Sequence, residues 1–184
     1  MSTATVTETT LKNLQTAFNG ESNASAKYAE FAKQADKEGF GRVASLFRAA
    51  SRAEQIHAAN HAKVIEKLGG KAEAKIEKAH VGTTAENLKL AIAGEEYERD
   101  VMYPDFIEEA TKQGNQAAVR TFQWALEAEV EHARMYHYAL KHLNEQRTRT
   151  VFYVCAACGY TTDDQDMMRC AVCNAPREKF ERIE

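Results

Sequence analysis

The sequence predicts a mainly α protein: a four-helix bundle over residues 11–146, followed by a small β-rich, metal-stapled domain over residues 147–184. Three observations predict it. Four segments carry apolar residues at steps of three and four, the period of an amphipathic helix. Only two prolines, Pro104 and Pro176, interrupt the 184 residues. All four cysteines lie beyond residue 150, in two Cys-x-x-Cys turns.

Residues 1–10, rich in Thr and lacking both a basic start and an apolar run, read as a disordered tail and not as a signal peptide. The first helical stripe then runs Leu11, Leu14, Phe18, Glu21, Ser25, Tyr28, so Glu21 occupies a place where a helix should bury leucine. A short Gly-containing turn at Lys37 to Gly41 makes the second helix an antiparallel neighbour. Its stripe is Val43, Leu46 or Phe47, Ala50, Glu54, His57, His61, Val64, Leu68. Residues 69–83 form a much longer connection that can carry the chain along the bundle to start the third helix at the other end. That helix reads Leu88, Ile92, Glu95, Glu98, Met102, Phe106. After a turn at Gln113 to Asn115 the fourth reads Val119, Phe122, Leu126, Glu129, His132, Tyr136, Leu140, Leu143.

Each stripe therefore turns at least one glutamate inward, and two do so as Glu-x-x-His: Glu54 with His57, and Glu129 with His132. The motif alone is weak, since composition gives roughly 0.7 matches by chance. A third match, Glu77 to His80, has no apolar periodicity around it and reads as such an accident. Position on the stripe separates the three. Buried carboxylates that converge cost several kcal/mol unless they share a countercharge. Two metal ions supply one, and residues three apart on a helix can set a carboxylate and an imidazole toward the same pair. Carboxylate oxygens with one imidazole per metal suit iron or manganese.

The second hairpin repeats the first. Glu21 matches Glu95 at an offset of 74, whereas Tyr28, Glu54 and His57 match Tyr103, Glu129 and His132 at 75. One residue has been gained between Glu95 and Tyr103, which predicts a π-type widening of the third helix there. Glu98 has no carboxylate counterpart in the first helix. It faces the same core as Glu95 and is a candidate seventh ligand that could exchange when the oxidation state changes. Tyr28 and Tyr103 are candidates to hydrogen-bond the metal carboxylates.

Beyond Asn144, Val151 to Val154 is a short strand signal, followed by Cys155-x-x-Cys158 and Cys170-x-x-Cys173. A segment this short cannot bury enough surface to fold unaided, and four thiolates in two such turns form a tetrahedral metal site. Spacing leaves zinc and iron open, and attachment to a dimetal bundle favours iron. The net charge of −3 with mixed signs gives no reason to expect nucleic acid or an anionic membrane as partner. No apolar stretch is long enough to span a bilayer, and the chain reads as cytoplasmic.

The residues Gly20-Glu21-Ser22, Glu54 to His57, Gly94 to Glu98, Met102-Tyr103-Pro104, Glu129 to His132 and Cys155 to Cys173 resemble those of the rubrerythrins, over nearly the whole chain after its tail. The resemblance implies a ferritin-like bundle with a carboxylate-bridged di-iron site. In it Glu54 and Glu129 bridge, Glu21 is terminal on one iron, and Glu95 with His132 holds the other. The first iron would trade Glu98, when oxidised, for His57, when reduced. It implies a rubredoxin-like Fe(Cys)4 domain, with zinc possible on isolation, that passes single electrons to the di-iron pair. It also implies reduction of hydrogen peroxide to water, with electrons ultimately from NAD(P)H through a partner reductase or rubredoxin. Head-to-tail homodimers would bring one chain's cysteine-ligated centre to the other's di-iron site, and the long connection leaves helix exchange between chains open. Two positions depart from the pattern: Ala171, where the second turn usually has proline, and Asn174, where a rubredoxin has glycine. A ferritin-like ferroxidase is the alternative, and a non-catalytic metal-binding module a further one; neither has an evident use for the whole pattern.

Overall fold

The computed structural model describes residues 3–184. Helix α1 (Thr3–Lys37) pairs antiparallel with α2 (Gly41–Lys67), and α3 (Thr84–Tyr97) continues through a π-helical turn (Glu98–Met102) into α4 (Tyr103–Lys112). The last bundle helix is α5 (Gln116–Lys141). The π turn falls where the gained residue predicts it, because an extra residue in a helix is absorbed by widening one turn. It also lets Pro104 stand in the first turn of α4, where its missing N–H costs no hydrogen bond.

Residues 3–10 are not the expected tail. They continue α1 in one helix, and Thr10 is buried with its hydroxyl donating to Gln113 at the α4–α5 turn. Met1 and Ser2 lie outside the described residues.

The long connection to Thr83 has no regular secondary structure, yet it is not loose. Three amides one helical turn apart on α1, those of Gln15, Asn19 and Asn23, clasp its backbone. Asn19 Oδ1 accepts from Lys75 N (2.9 Å), Asn23 Oδ1 accepts from Glu77 N (2.8 Å), and Asn23 Nδ2 donates to Lys75 O (2.9 Å), while Gln15 holds Lys71. A capping box of Thr83 and Glu86 then starts α3 by satisfying its first free N–H groups.

Two apolar clusters fill the bundle, one around Tyr28, Phe31, Phe47 and Tyr136, the other around Leu14, Ile65, Tyr103 and Phe122. The inward glutamates form a polar layer between them. The C-terminal domain is a three-stranded antiparallel sheet of order β2–β1–β3, from β1 (Phe152–Cys155), β2 (Thr161–Thr162) and β3 (Phe180–Ile183). Phe152 and Val154 of β1 join the first bundle cluster, so this domain shares its core with α2 and α5. Arg52 on α2 clamps Glu181 on β3 at 2.6 and 2.8 Å.

Candidate metal centres

In the bundle, ligand atoms of Glu21, Glu54, His57 and Glu129 lie within 4.8 Å of one another, and so do those of Glu54, Glu95, Glu129 and His132. All seven candidate bundle ligands except Glu98 are thus brought together, and Glu54 and Glu129 are common to both sets. His57 Nδ1 lies 2.8 Å from Glu54 Oε2 and 3.1 Å from Glu129 Oε1. His132 Nδ1 lies 2.9 Å from Glu129 Oε2 and 3.4 Å from Glu54 Oε1.

Whether these residues fit metal ions is tested by their unmet polar atoms. Glu21 Oε2, both oxygens of Glu54, Glu95 Oε2, Glu129 Oε1 and His57 Nδ1 are buried with no hydrogen-bond partner, although His57 Nδ1 and Glu54 Oε2 are near each other. Close but unaligned donors and acceptors, orphaned together, fit cations bound among them, because buried polar groups otherwise find partners.

The electrostatics agree. Burial, then the charge of Glu21, raises the Glu54 carboxyl above its usual range. Burial, then Glu54, raises Glu129. At Glu21 burial acts in the same direction, but attraction from His57 and His61 overcomes it and carries the carboxyl well below its usual range. His57 is raised despite burial by Glu129 and Glu21, and His132 despite burial by Glu54 and Glu129. So crowded an anionic site in a dry core calls for positive charge.

Tyr28 Oη donates to Glu95 Oε1 at 2.5 Å, and Tyr103 Oη donates to Glu21. The tyrosine of each repeat thus supports the glutamate of the other. Glu98 stands apart from both ligand sets, half-buried near Gly20, in the lining of an open cleft of about 440 Å³. Burial, then the charges of Glu21 and Glu129, raises the Glu98 carboxyl well above the carboxylate range. Asn19, Asn23, Lys27, Lys78 and His80 line the cleft, so the discounted Glu77 to His80 pair is wall and not ligand.

In the second centre the sulfurs of Cys155, Cys158, Cys170 and Cys173 lie within 4.8 Å of one another, with Cys155 to Cys173 at 3.6 Å and Cys158 to Cys170 at 3.5 Å. The sulfurs of Cys155 and Cys170, then burial, push the Cys158 thiol up, while contacts with Cys155 and Cys158 pull Cys170 down. The two turns repeat each other: Gly159 N donates to Cys155 O (2.8 Å) and Asn174 N to Cys170 O (3.0 Å). Asn174 has φ 60°, which asparagine tolerates better than most residues, so the missing glycine leaves the turn's shape intact.

With a carboxylate–histidine site in one bundle and a four-cysteine site joined to it, the matches to known proteins decide the family. The rubrerythrin family profile matches residues 12–140, and the profile described as "Rubrerythrin, rubredoxin-like domain" matches residues 153–181.

The chain belongs to the rubrerythrin family.

Relatives agree over most of its length. Rubrerythrin-2 of Clostridium acetobutylicum is 34% identical over 172 residues, covering 91% of this chain and 93% of the relative. Nigerythrin of Nitratidesulfovibrio vulgaris is 36% identical over 177 residues, covering 96% and 87%. The structure of fully reduced, all-ferrous nigerythrin superposes with a TM-score of 0.87 at 34% identity, covering 94% of this chain and 86% of that one. A bacterioferritin of Desulfovibrio desulfuricans, at 22% identity and TM-score 0.73, shares the bundle fold. As a rubrerythrin this chain is a metal-binding oxidoreductase, with iron the metal that fits both of its centres. Among the described residues no helix is long and apolar enough to cross a membrane.

Several residues of this rubrerythrin's centres carried no sequence signal of their own. Gly159, at φ +84°, lies so near His57 that a Cβ there would stand 2.2 Å from His57 Nε2. Thr161 Oγ1 is 3.1 Å from His132 Nε2 and donates to Gly159 O at 3.2 Å. Asn60 Nδ2 donates to Ala157 O at 2.8 Å. The four-cysteine centre therefore sits beside the histidines of its own chain's bundle. The juxtaposition expected between two chains is present within one. The chain's one tryptophan, Trp124, packs against the cysteine cluster from α5.

Proposed function

We propose that this rubrerythrin is a non-haem di-iron peroxidase that reduces hydrogen peroxide to water, with electrons delivered through its Fe(Cys)4 centre. The observation that carries the proposal is the junction between the two centres. Gly159, next to the ligand Cys158, covers His57, and Thr161 meets His132, so a one-electron carrier abuts the imidazoles of both metal positions. A ferroxidase would share the bundle but leave this docked domain without a role.

In this reading Glu54 and Glu129, common to both ligand sets, would be shared between two ions. Glu21 and His57 would help hold one, and Glu95 and His132 the other. Bound ions would supply the two electrons that take H2O2 and two protons to two waters, with the cysteine-ligated iron as the one-electron source that restores them. The chain's residues do the rest. The open cleft, about 440 Å³ and lined in part by Glu98, has room for a molecule of peroxide's size. Glu98, a carboxyl in the lining of that cleft, is the group placed to pass a proton to an oxygen arriving there. His57 lies in the first ligand set and Glu98 outside it, so these are the two side chains that the ligand exchange implied by the family resemblance would involve. Tyr28 and Tyr103 fix Glu95 and Glu21 by hydrogen bonds, and the aromatic clusters on either side exclude water.

Electrons from NAD(P)H would enter through a partner reductase or rubredoxin docking on the exposed edge of the four-cysteine domain, in the cytoplasm. A head-to-tail dimer that exchanged these domains would build the same junction from two chains. The test is to follow NADH consumption by the iron-loaded chain with a surrogate reductase, under argon, with peroxide as sole oxidant. Peroxide-dependent turnover that disappears in C158S supports the proposal. Turnover unaffected by C158S, or iron oxidation by dioxygen alone, refutes it.

A further inference from the structure

The pseudo-twofold repeat pairs His61 with Tyr136 at the same offset of 75 that relates His57 to His132, and the two do different things at equivalent places. Tyr136 lies edge-on to Tyr28, with ring centroids 5.8 Å apart, and its buried hydroxyl has no hydrogen-bond partner. His61, fully buried, has both nitrogens engaged: Nε2 lies 3.2 Å from Tyr103 Oη and Nδ1 lies 3.0 Å from Thr121 Oγ1. The tyrosine that supports Glu21 is itself held from behind. The tyrosine that supports Glu95 is not.

Counting donors fixes the direction of the chain. Tyr103 has one O–H and it goes to Glu21, a carboxylate that can only accept. Tyr103 Oη must then accept from His61 Nε2–H. In the neutral ring the other nitrogen, Nδ1, carries no proton, so it accepts from the Thr121 hydroxyl. A single line of donors runs Thr121, His61, Tyr103, Glu21 and ends on α1. Its last member touches the metal position at which His57 and Glu98 would exchange.

We propose that His61 is a positioning residue: by donating to Tyr103 it locks that hydroxyl on Glu21, and so keeps Glu21 in place as a ligand while its neighbours change. The proposal rests on the dimetal reading of the bundle and adds to it an asymmetry that the ligands alone do not have. Removing a hydrogen-bond partner behind a metal ligand weakens metal binding about ten- to a hundredfold.

The test is calorimetric titration of the metal-free full chain with cobalt(II), its four-cysteine site first filled with zinc, alongside thermal melting. Wild type should take two cobalt ions in the bundle. H61L should weaken one of them about tenfold or more and leave the other unchanged. Y103F should do the same, and H61L/Y103F no more than Y103F alone, because the two act in series. H61Q, whose amide keeps a donor toward Tyr103, should recover most of the affinity, which a purely structural role would not predict. T121V, which leaves His61 in place, should give a smaller loss at the same ion and serves if H61L fails to fold. Equal weakening of both ions, additive losses in the double variant, or H61L and T121V that both bind as wild type would each overturn the proposal. Loss of one ion in H61L but not in Y103F would make His61 a direct ligand and also overturn it. A wild type that binds fewer than two cobalt ions in the bundle would instead refute the dimetal reading.

Discussion

Replacing Gly159 by alanine tests the junction between the two centres with one methyl group. Gly159 has φ +84°, and forcing an alanine into that left-handed region costs about 1–2 kcal/mol. The new Cβ would meet His57 Nε2 at 2.2 Å, His57 Cδ2 at 2.5 Å and Ala53 O at 3.2 Å, distances that nothing but movement can relieve. Overpacking of this kind adds about 1–3 kcal/mol, for a total near 2–5 kcal/mol. His57 is enclosed by α2 and by Glu54 and Glu129, so the four-cysteine domain is the part that yields. Of the contacts opposing its displacement, the clamp of Arg52 on Glu181 is about a third exposed and contributes at most about 1 kcal/mol, and the buried Phe152 and Val154 supply most of the resistance. In the iron-loaded G159A chain, stopped-flow reduction of the ferric bundle from the four-cysteine centre should be markedly slower. Trp124 fluorescence should change as its packing against the cysteine cluster loosens. Wild-type transfer rates with wild-type Trp124 emission would refute the reasoning.

Glu98→Ala should retain both bundle ions by elemental analysis, because Glu98 is outside both ligand sets, yet slow peroxide turnover about a hundredfold; full turnover would remove Glu98 from the mechanism. Arg52→Ala should lower stability by no more than about 1 kcal/mol in denaturant titration, since the pair is partly exposed; a loss of several kcal/mol would mean that it holds the domains together. The metal-free protein should melt at a lower temperature at pH 8 than at pH 5.5. Glu54, Glu98 and Glu129 are raised above their unfolded value of 4.5, and His57 and His132 above 6.5. Stability from such groups is fully present below the unfolded pKa and lost as pH rises through the folded one. Glu21, depressed, loses its contribution only in strong acid, while His61, lowered by burial, and Cys170, lowered by its contacts with Cys155 and Cys158, oppose the trend against five raised groups. Calorimetry of chelator-treated protein showing a rising melting temperature over this range would contradict it.

The bundle and its inward glutamates were legible because burial leaves a periodic mark. A glutamate on an apolar stripe is out of place, and Glu21, Glu54, Glu95 and Glu129 are all found buried. The gained residue between Glu95 and Tyr103 was legible as an offset of 75 against 74, and it appears as the π turn at Glu98–Met102. Glu98 was harder to read, since the stripe predicts an inward residue but not that the widened turn aims it at a cleft. Residues 3–10 were misread because a Thr-rich run has modest helix propensity, whereas continuation of an existing helix avoids the cost of nucleation. The amides of Gln15, Asn19 and Asn23 recur every four residues but pair with a segment more than fifty residues away, which no local pattern announces. Gly159 and Thr161 were invisible as site residues for the same reason: their roles depend on how one domain seats on the other. His61 stood on the predicted stripe, and only its two neighbours, Tyr103 and Thr121, separate it from an ordinary core histidine.

Peroxide oxidising the bundle irons, with the four-cysteine centre refilling them, is the step on which the function rests. The direct measurement is to reduce the iron-loaded chain fully under argon, mix it rapidly with one equivalent of hydrogen peroxide, and follow both iron centres by absorbance. The bundle irons should oxidise first, with stoichiometric loss of peroxide, and the red absorption of the cysteine-ligated iron should return afterwards as that centre gives up its electron. Bundle irons left ferrous by peroxide but oxidised by dioxygen, or a four-cysteine centre that stays reduced beside an oxidised bundle, would contradict it.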